Sequence, residues 1–137
     1  MNASDKLAIH ELLSRAAYAF DERDLDMLEQ CFVPDASMLV NIADGTTYGP
    51  FDGREAIMGL LKGALDAQTD TRRHVISNFF FEEEGENKAV AVSQIVLFCT
   101  ENGQIRVLTS GIYRDVVEKT GGTWQISDRV LNLELAF

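Results

Sequence analysis

The second half of the chain contains four long β-prone segments that follow one another directly. They span residues 72–82, 87–100, 104–118 and 123–135. Their connectors have hairpin chemistry, most clearly Asn102-Gly103, a dipeptide favoured in two-residue primed turns, and the glycine pair at residues 121–122. Because such short connectors join antiparallel neighbours, this region is predicted to form a four-stranded antiparallel meander.

The first half of the chain has helical rather than strand periodicity. Apolar residues recur every three or four positions from Ser4, the expected N-cap, to about residue 21. Asp24 occupies the N-cap position of a short second helix, which Pro34 stops because proline cannot donate a helical hydrogen bond. Two helices are therefore predicted before the first strand.

A strand pair and a third helix complete the predicted elements. Short β-prone runs between residues 36 and 52 predict the strand pair, and another helical stripe begins after Gly53. Helices followed by a meander indicate an α+β domain whose helices cover one face of a curved sheet. We expect a single domain over residues 1–137, since this length forms one core and contains no linker.

The charge balance excludes several classes of partner. The chain has 12 basic and 22 acidic residues and a net charge of −10, which repels nucleic acids and anionic membranes. Its N-terminal segment lacks the features of a secretory signal, and no apolar run approaches the roughly 20 residues of a membrane span. We therefore expect a cytoplasmic protein that binds neither nucleic acid nor a membrane.

Sequence motifs for a metal or a cofactor are missing. Cys31 and Cys99 lie far apart, without a CxxC pair or a histidine-rich segment, so both are predicted to be buried, reduced thiols. The chain has no nucleotide-binding glycine loop, no HExxH helix and no nucleophile-elbow serine. The remaining chemistry is acid–base work by side chains in an apolar cavity, without a cofactor.

Three aspartates in the segment DERDLD differ in their structural roles. Asp24 is a helix cap, and Asp26 lies in the first turn of that helix, where the helix dipole favours an anion. Asp21 instead lies at the C-terminal end of the first helix, where the dipole disfavours an anion. Asp21 is therefore a candidate functional residue, the alternative being a solvated helix end.

His74 lies on a predicted strand whose two faces differ in composition. Strand alternation separates two sets of side chains: His74, Ile76, Asn78 and Phe80 against Arg73, Val75, Ser77, Phe79 and Phe81. The first set mixes ionisable, amide and aromatic groups, as the wall of a ligand cavity does. A hydrogen-bonded core histidine is the alternative for His74, and His10 is expected on the surface.

Arg129 shares one face of the last strand with leucines at positions 131, 133 and 135. A guanidinium on such a face needs either an acceptor or a ligand, so a structural ion pair is the alternative to a functional role. Tyr18, Asn78 and Tyr113 are weaker candidates for contacts with a bound molecule, because each tyrosine can equally belong to the core.

The order of these segments resembles the nuclear transport factor 2-like superfamily, specifically its SnoaL-like branch. Five stretches along nearly the whole chain carry the resemblance: AFDERDLDMLEQCFVPDA, YGPFDGREAI, RRHVISN, SGIYRDVVEK and GTWQISDRV. The resemblance implies a cone-shaped barrel made of a strongly curved, mainly antiparallel sheet, with three helices covering the concave face. Function varies widely within this superfamily, so the fold alone does not assign one.

The resemblance also implies a functional pair of residues. In scytalone dehydratase and hexachlorocyclohexane dehydrochlorinase, an aspartate ending the first helix orients a strand histidine that abstracts a proton. Asp21 and His74 match these two positions, and Arg129 resembles the dehydrochlorinase arginine that stabilises the leaving group. Ala16 stands where that enzyme has a lysine, and the second histidine of scytalone dehydratase has no counterpart, so the resemblance implies no shared substrate.

Together these features predict a cofactor-independent lyase acting by dehydration or a related elimination on a small hydrophobic molecule in an enclosed pocket. His74 is the predicted general base, Asp21 its orienter and Arg129 an electrostatic stabiliser. Alternatives are an isomerase, a polyketide-cyclase-like enzyme, a non-catalytic ligand-binding domain, or the small subunit of an oxygenase.

The segment at residues 87–100 is apolar at both strand parities, so both of its faces need cover. The helices cover only the concave face of the sheet. The convex face is therefore expected to pack against a second copy of the chain, which gives a homodimer.

Overall fold

The computed structural model describes residues 1–137 as three helices and six strands. In chain order these are α1 Ala3–Asp21, α2 Leu25–Gln30, β1 Phe32–Ile42, β2 Thr47–Asp52, α3 Arg54–Ala67, β3 Thr71–Glu84, β4 Lys88–Glu101, β5 Gln104–Thr120 and β6 Thr123–Leu133. The strands form one sheet in the order β2-β1-β6-β5-β4-β3. The predicted meander is confirmed, since β3 to β6 pair antiparallel in sequence. Only β1 and β6 are parallel.

The sheet curves around the helices. Irregularities shift the register in β1, in β3, between β4 and β5, and between β5 and β6. Each bulge bends its strand and increases the twist. Helix α1 packs on β3 and β6, and α3 packs on β1 and β2, all on one side of the sheet. The predicted α+β class is therefore confirmed, although β2 and β3 remain free edges and the cone is not closed into a barrel.

The first helix begins slightly earlier than predicted. Its N-cap is Asn2 rather than Ser4: the Asn2 side chain accepts from the Asp5 N–H at 2.8 Å, and the Asp5 carboxylate accepts from the Asn2 N–H at 3.3 Å. Asp5 also accepts hydrogen bonds from the Trp124 indole and the Lys119 ammonium, both at 3.0 Å. These two donors lower the pKa of Asp5 to about 2 and tie the start of α1 to the β5–β6 hairpin.

The second helix has the predicted cap but a different end. The Asp24 carboxylate accepts from the Met27 N–H at 3.1 Å. Helix α2 ends at Gln30, before the proline, because Phe32 already pairs with Ile126 in the sheet. Pro34 consequently lies inside β1. None of the three helices is long and apolar enough to cross a membrane.

Removal of the α2 cap should reduce stability without touching the cavity. Asp24→Ala is expected to lower the free energy of unfolding by about 0.5–2 kcal/mol, because it leaves a helix N–H unpaired. Urea denaturation followed by circular dichroism measures this loss. Asp26→Ala is the matched control, since the Asp26 side chain caps nothing. An equal loss in both variants would contradict the capping role.

The buried side chains form two clusters. The larger one joins the helices to the sheet around Ile9, Phe32, Ile57 and Ile126. The smaller one contains Ile42, Ile95, Tyr113, Leu131 and Leu133. Both cysteines are free and buried, as predicted. The two clusters meet at a cavity that residues of both clusters line.

Candidate active site

The cavity lies between the concave face of the sheet and helices α1 and α3. Its volume is about 230 Å³, and its wall consists of 21 residues. His74 and Arg129 are the only wall residues that are neither aliphatic nor carbon-ring aromatic. Such a wall is typical of a site for a small, mostly hydrophobic molecule whose orientation is fixed by few polar groups.

Asp21 and His74 meet at this wall, although 53 positions separate them in sequence. Asp21 ends α1, and His74 lies near the start of β3. The Asp21 carboxylate accepts two hydrogen bonds from His74: Oδ1 lies 2.5 Å from ring Nδ1, and Oδ2 lies 2.8 Å from the backbone nitrogen. Each side chain is 6% exposed. This double attachment fixes the imidazole relative to the carboxylate.

The second ring nitrogen of His74 faces the cavity. Because the carboxylate accepts from Nδ1, a neutral ring has its proton there and its lone pair on Nε2. Nε2 has no hydrogen-bond partner in the chain. Every buried side-chain nitrogen or oxygen does have such a partner, so Nε2 itself is not fully buried. Nε2 is therefore open to the cavity that His74 lines. The Phe20 ring packs against the imidazole, with 5.1 Å between centroids.

Arg129 reaches the same cavity from β6, but its charge is paired. Its Nε donates to Asp115 Oδ1 at 2.7 Å, and its Nη2 donates to Oδ2 at 3.1 Å. The side chains of Arg129 and Asp115 are 9% and 0% exposed. The guanidinium carbon also lies 4.1 Å from the centroid of the Tyr113 ring. The alternative of an ion pair for Arg129 is therefore present, together with access to the cavity.

Burial keeps Tyr113 a donor and Asp115 keeps Arg129 a cation. Burial raises the pKa of the Tyr113 phenol, so the hydroxyl remains protonated at neutral pH. Burial alone would lower the pKa of Arg129, but the groups around it, Asp115 foremost, together outweigh burial and raise that pKa above its ordinary value. Both groups can therefore donate hydrogen bonds into the cavity.

Tyr18 and Asn78 lie away from the cavity. The Tyr18 side chain is 60% exposed, and neither residue belongs to the cavity wall. Asn78 adopts a positive φ of 49°, and its amide donates to Gln94 on the outer side of the sheet. The structure therefore places neither of these two predicted contact residues at the cavity wall, whereas it places Tyr113 there.

A bulge explains the error at Asn78. The register of β3 and β4 shifts between Ser77 and Phe80, which reverses the predicted alternation. Phe80 is 55% exposed, whereas Phe79 and Phe81 pack against the core. His10, exposed as predicted, stacks on Phe79 with 3.8 Å between ring centroids. The predicted parity is thus correct at His74 and wrong after the bulge.

Sequence reasoning missed Asp115, the acceptor of Arg129. The placement of Arg129 on a leucine-rich face already indicated that its guanidinium needs an acceptor or a ligand. Counting back from the turn, however, pairs Asp115 with Asp128, whereas the structure pairs it with Arg129 because Ser127 is an extra residue in β6. The predicted last strand was also too long, since Leu135 lies beyond β6 and is 63% exposed. Wall residues that were not predicted include Phe20, Ala136 and Phe137.

Solved structures share this fold. The β subunit of a proposed aromatic-ring-hydroxylating dioxygenase from Novosphingobium aromaticivorans has a TM-score of 0.84 at 19% identity, covering 98% of this chain and 92% of that one. A proposed scytalone dehydratase from the same organism has a TM-score of 0.78 at 23% identity, covering 96% and 85%. A Nostoc punctiforme protein of unknown function with a cystatin-like fold scores 0.82 at 22% identity, covering 100% and 96%. At these identities the likeness concerns the fold alone.

Sequence comparisons identify the family. The uncharacterised protein Rv2910c of Mycobacterium tuberculosis is 28% identical over 131 residues, which cover 93% of this chain and 84% of that protein. The uncharacterised protein Mb2934c of Mycobacterium bovis matches with the same identity and coverage. The model of the SnoaL-like domain matches residues 1–130, so nearly the whole chain carries the family pattern. This chain belongs to the SnoaL-like domain family.

Proposed function

We propose that this protein is a cofactor-independent lyase that acts on a small, mostly hydrophobic molecule by dehydration or a related elimination. One observation carries the proposal: His74 has its Nδ1 held by the buried Asp21 carboxylate while its Nε2 is open to an apolar cavity. A neutral imidazole fixed in this way, with the lone pair of Nε2 free, can act as a general base.

The proposed chemistry assigns one task to each polar group. His74 Nε2 takes a carbon-bound proton from the substrate, and Asp21 stabilises the imidazolium that forms. Arg129 and Tyr113 donate hydrogen bonds to negative charge that develops in the transition state. The imidazolium can then return the proton to the departing hydroxyl group. Isomerisation differs only in where this proton returns, so the same site supports it.

The size of the effect limits the substrate. A positioned general base contributes typically ~10²–10⁴-fold to a rate. The substrate must therefore have a C–H bond that is already acidified, or a good leaving group. The cavity of about 230 Å³ further limits it to a small molecule.

Proton abstraction can be tested with 5-nitrobenzisoxazole, a small neutral probe. When a base removes its carbon-bound proton, the N–O bond breaks and a coloured nitrophenolate forms. We expect saturable turnover above the rate given by free imidazole at equal concentration. If the probe binds in the cavity, as shown by chemical-shift changes, and no turnover occurs, the lyase proposal fails.

A second candidate is a non-catalytic role, either as a ligand-binding domain or as an oxygenase small subunit. A dioxygenase β subunit shares this fold, so the fold is compatible with such a role. Such a role needs the fold or the cavity but no base. Binding of the probe without turnover would therefore favour this candidate, whereas turnover lost on replacement of His74 would favour the lyase or isomerase.

The convex face supports the proposal of a homodimer. Five apolar side chains of β3 and β5 on this face are between 42% and 73% exposed: Val75, Phe80, Ile105, Val107 and Ile112. We call them the outer patch. They lie beside half-buried apolar residues of β4. Since each chain has a net charge of −10, copies approach most easily through this mainly apolar surface.

A charge within the outer patch should separate the two copies. In sedimentation velocity we expect the native protein to have twice the mass of one chain, and Ile112→Glu to have the mass of a single chain, because burial of an unpaired carboxylate opposes association. Leu7→Glu is the matched control, since Leu7 is 70% exposed on α1, away from the patch. A monomeric native protein would contradict the proposal.

A further inference from the structure

Asp115 has no task in the proton transfer proposed above, yet it is fully buried, with 0% of its surface exposed. Asp115 and Arg129 are the only charged residues that are buried over backbone and side chain together. They are direct cross-strand partners on β5 and β6, joined by two hydrogen bonds of 2.7 Å and 3.1 Å. Because burial of a charge is costly, the placement of a carboxylate beside Arg129 affects whatever enters the cavity.

The cavity offers no net positive charge. Arg129 and His74 are its only strongly polar wall residues, and a carboxylate pairs with each of them. The Arg129–Asp115 pair is neutral as a unit. The His74–Asp21 pair has one negative charge when the imidazole is neutral and none when it is protonated. An anion entering the cavity would lose its hydration without gaining a free cation.

Two hydrogen-bond donors of buried residues nevertheless remain available. Asp115 engages Nε and Nη2 of Arg129, which leaves Nη1 without a partner. The Tyr113 hydroxyl also has no partner, although only 6% of this residue is exposed. Every fully buried polar side-chain atom has a hydrogen-bond partner, so these two unpartnered donors are not fully buried. Since both residues line the cavity, the donors are open to it. They suit a neutral oxygen acceptor such as a carbonyl group.

We propose that Asp115 is a specificity-determining residue. By cancelling the charge of Arg129, it makes the cavity accept neutral molecules that carry an oxygen acceptor and reject carboxylates of the same shape. The inference deepens the proposed function by naming a substrate class. It concerns binding alone, so it does not require His74 to act as a base.

Two naphthalene ligands test this selection, 2-acetylnaphthalene and 2-naphthoate. The ketone has a methyl group where the carboxylate has a charged oxygen. The two ligands therefore have nearly the same shape and the same apolar ring system. Titration calorimetry at pH 7 should show that the native protein binds the ketone at least about tenfold more tightly than the carboxylate. Equal affinities, or a preference for the carboxylate, would overturn the proposal.

Asp115→Asn should remove the selection against the carboxylate, because asparagine keeps the shape and removes the charge. We expect 2-naphthoate to bind at least about tenfold more tightly than it binds the native protein, with little change for the ketone. An unchanged ratio in folded Asp115→Asn would overturn the proposal. This variant leaves a buried guanidinium without its counter-charge, which can destabilise the fold. Circular dichroism therefore checks that the variant is folded.

The double variant Asp115→Asn/Arg129→Gln gives a second readout, because it removes both charges. It should keep the preference of the native protein for the ketone. A double variant that accepts the carboxylate as well as the ketone would show that shape, rather than charge cancellation, sets the selection. His74→Gln distinguishes the two proposals, because this variant should lose turnover and still prefer the ketone to the carboxylate. If the native protein shows the same preference but no turnover, only the lyase proposal is refuted.

Discussion

Replacement of His74 with alanine is expected to slow turnover of 5-nitrobenzisoxazole by ~10²–10⁴-fold, the usual contribution of a positioned general base. The loss should appear in kcat, because the cavity wall retains its apolar side chains and the donors Arg129 and Tyr113. Initial rates of nitrophenolate release, measured over a range of probe concentrations, give kcat and KM separately.

His10→Ala is the matched control for this experiment, because His10 and His74 are the two histidines of the chain. His10 is exposed and stacks on Phe79, and it does not line the cavity. Its replacement removes the same imidazole and should leave kcat unchanged. Equal turnover in His74→Ala and the native protein would refute the assignment of the base, whereas a loss in both variants would point to a defect in folding.

Asp21→Asn is expected to lower kcat on the order of 10²-fold or more, because the amide no longer enforces the reactive tautomer of His74. The carboxylate accepts from both the ring Nδ1 and the backbone N–H of His74. An amide has only one acceptor oxygen, so its NH2 group must face one of these donors. If that group donates to Nδ1, the ring proton moves to Nε2, which then has no lone pair for the substrate.

KM should change little in Asp21→Asn, since Asp21 does not line the cavity. Steady-state kinetics therefore separates an orienting role from a binding role. Asp24→Asn is the matched control: it makes the same substitution three positions later, and asparagine is an equally good N-cap. A raised KM with unchanged kcat in Asp21→Asn would show that Asp21 acts in binding and does not orient the base.

The sequence was sufficient for the elements whose signals are local. Turn chemistry such as Asn102-Gly103 predicted the meander, and the helix dipole singled out Asp21 from its neighbours. Helical geometry also predicts that Tyr18 points away from the cavity, because it lies about 100° around the helix from Ala17, a wall residue. The meeting of Asp21 with His74, by contrast, was predicted only through the family resemblance.

Bulges account for most of what could not be predicted. One extra residue moves every later side chain of a strand to the opposite face, and no composition marks the insertion reliably. At Asn78 the only hint was the residue type, because asparagine tolerates the positive φ of 49° found there. At Ser127 there was no hint, so the pairing of Asp115 with Arg129 stayed hidden until the register was known.

The position of His74 on an edge strand links chemistry to solubility. Strand β3 has a neighbour on one side only, and such an open edge can recruit strands from other chains into aggregates. The Asp21 carboxylate occupies the backbone N–H of His74, so the end of α1 shields part of this edge. The Asp21 carboxylate thus orients the His74 ring and also covers part of the open strand edge. Its replacement by a residue without an acceptor would remove both effects.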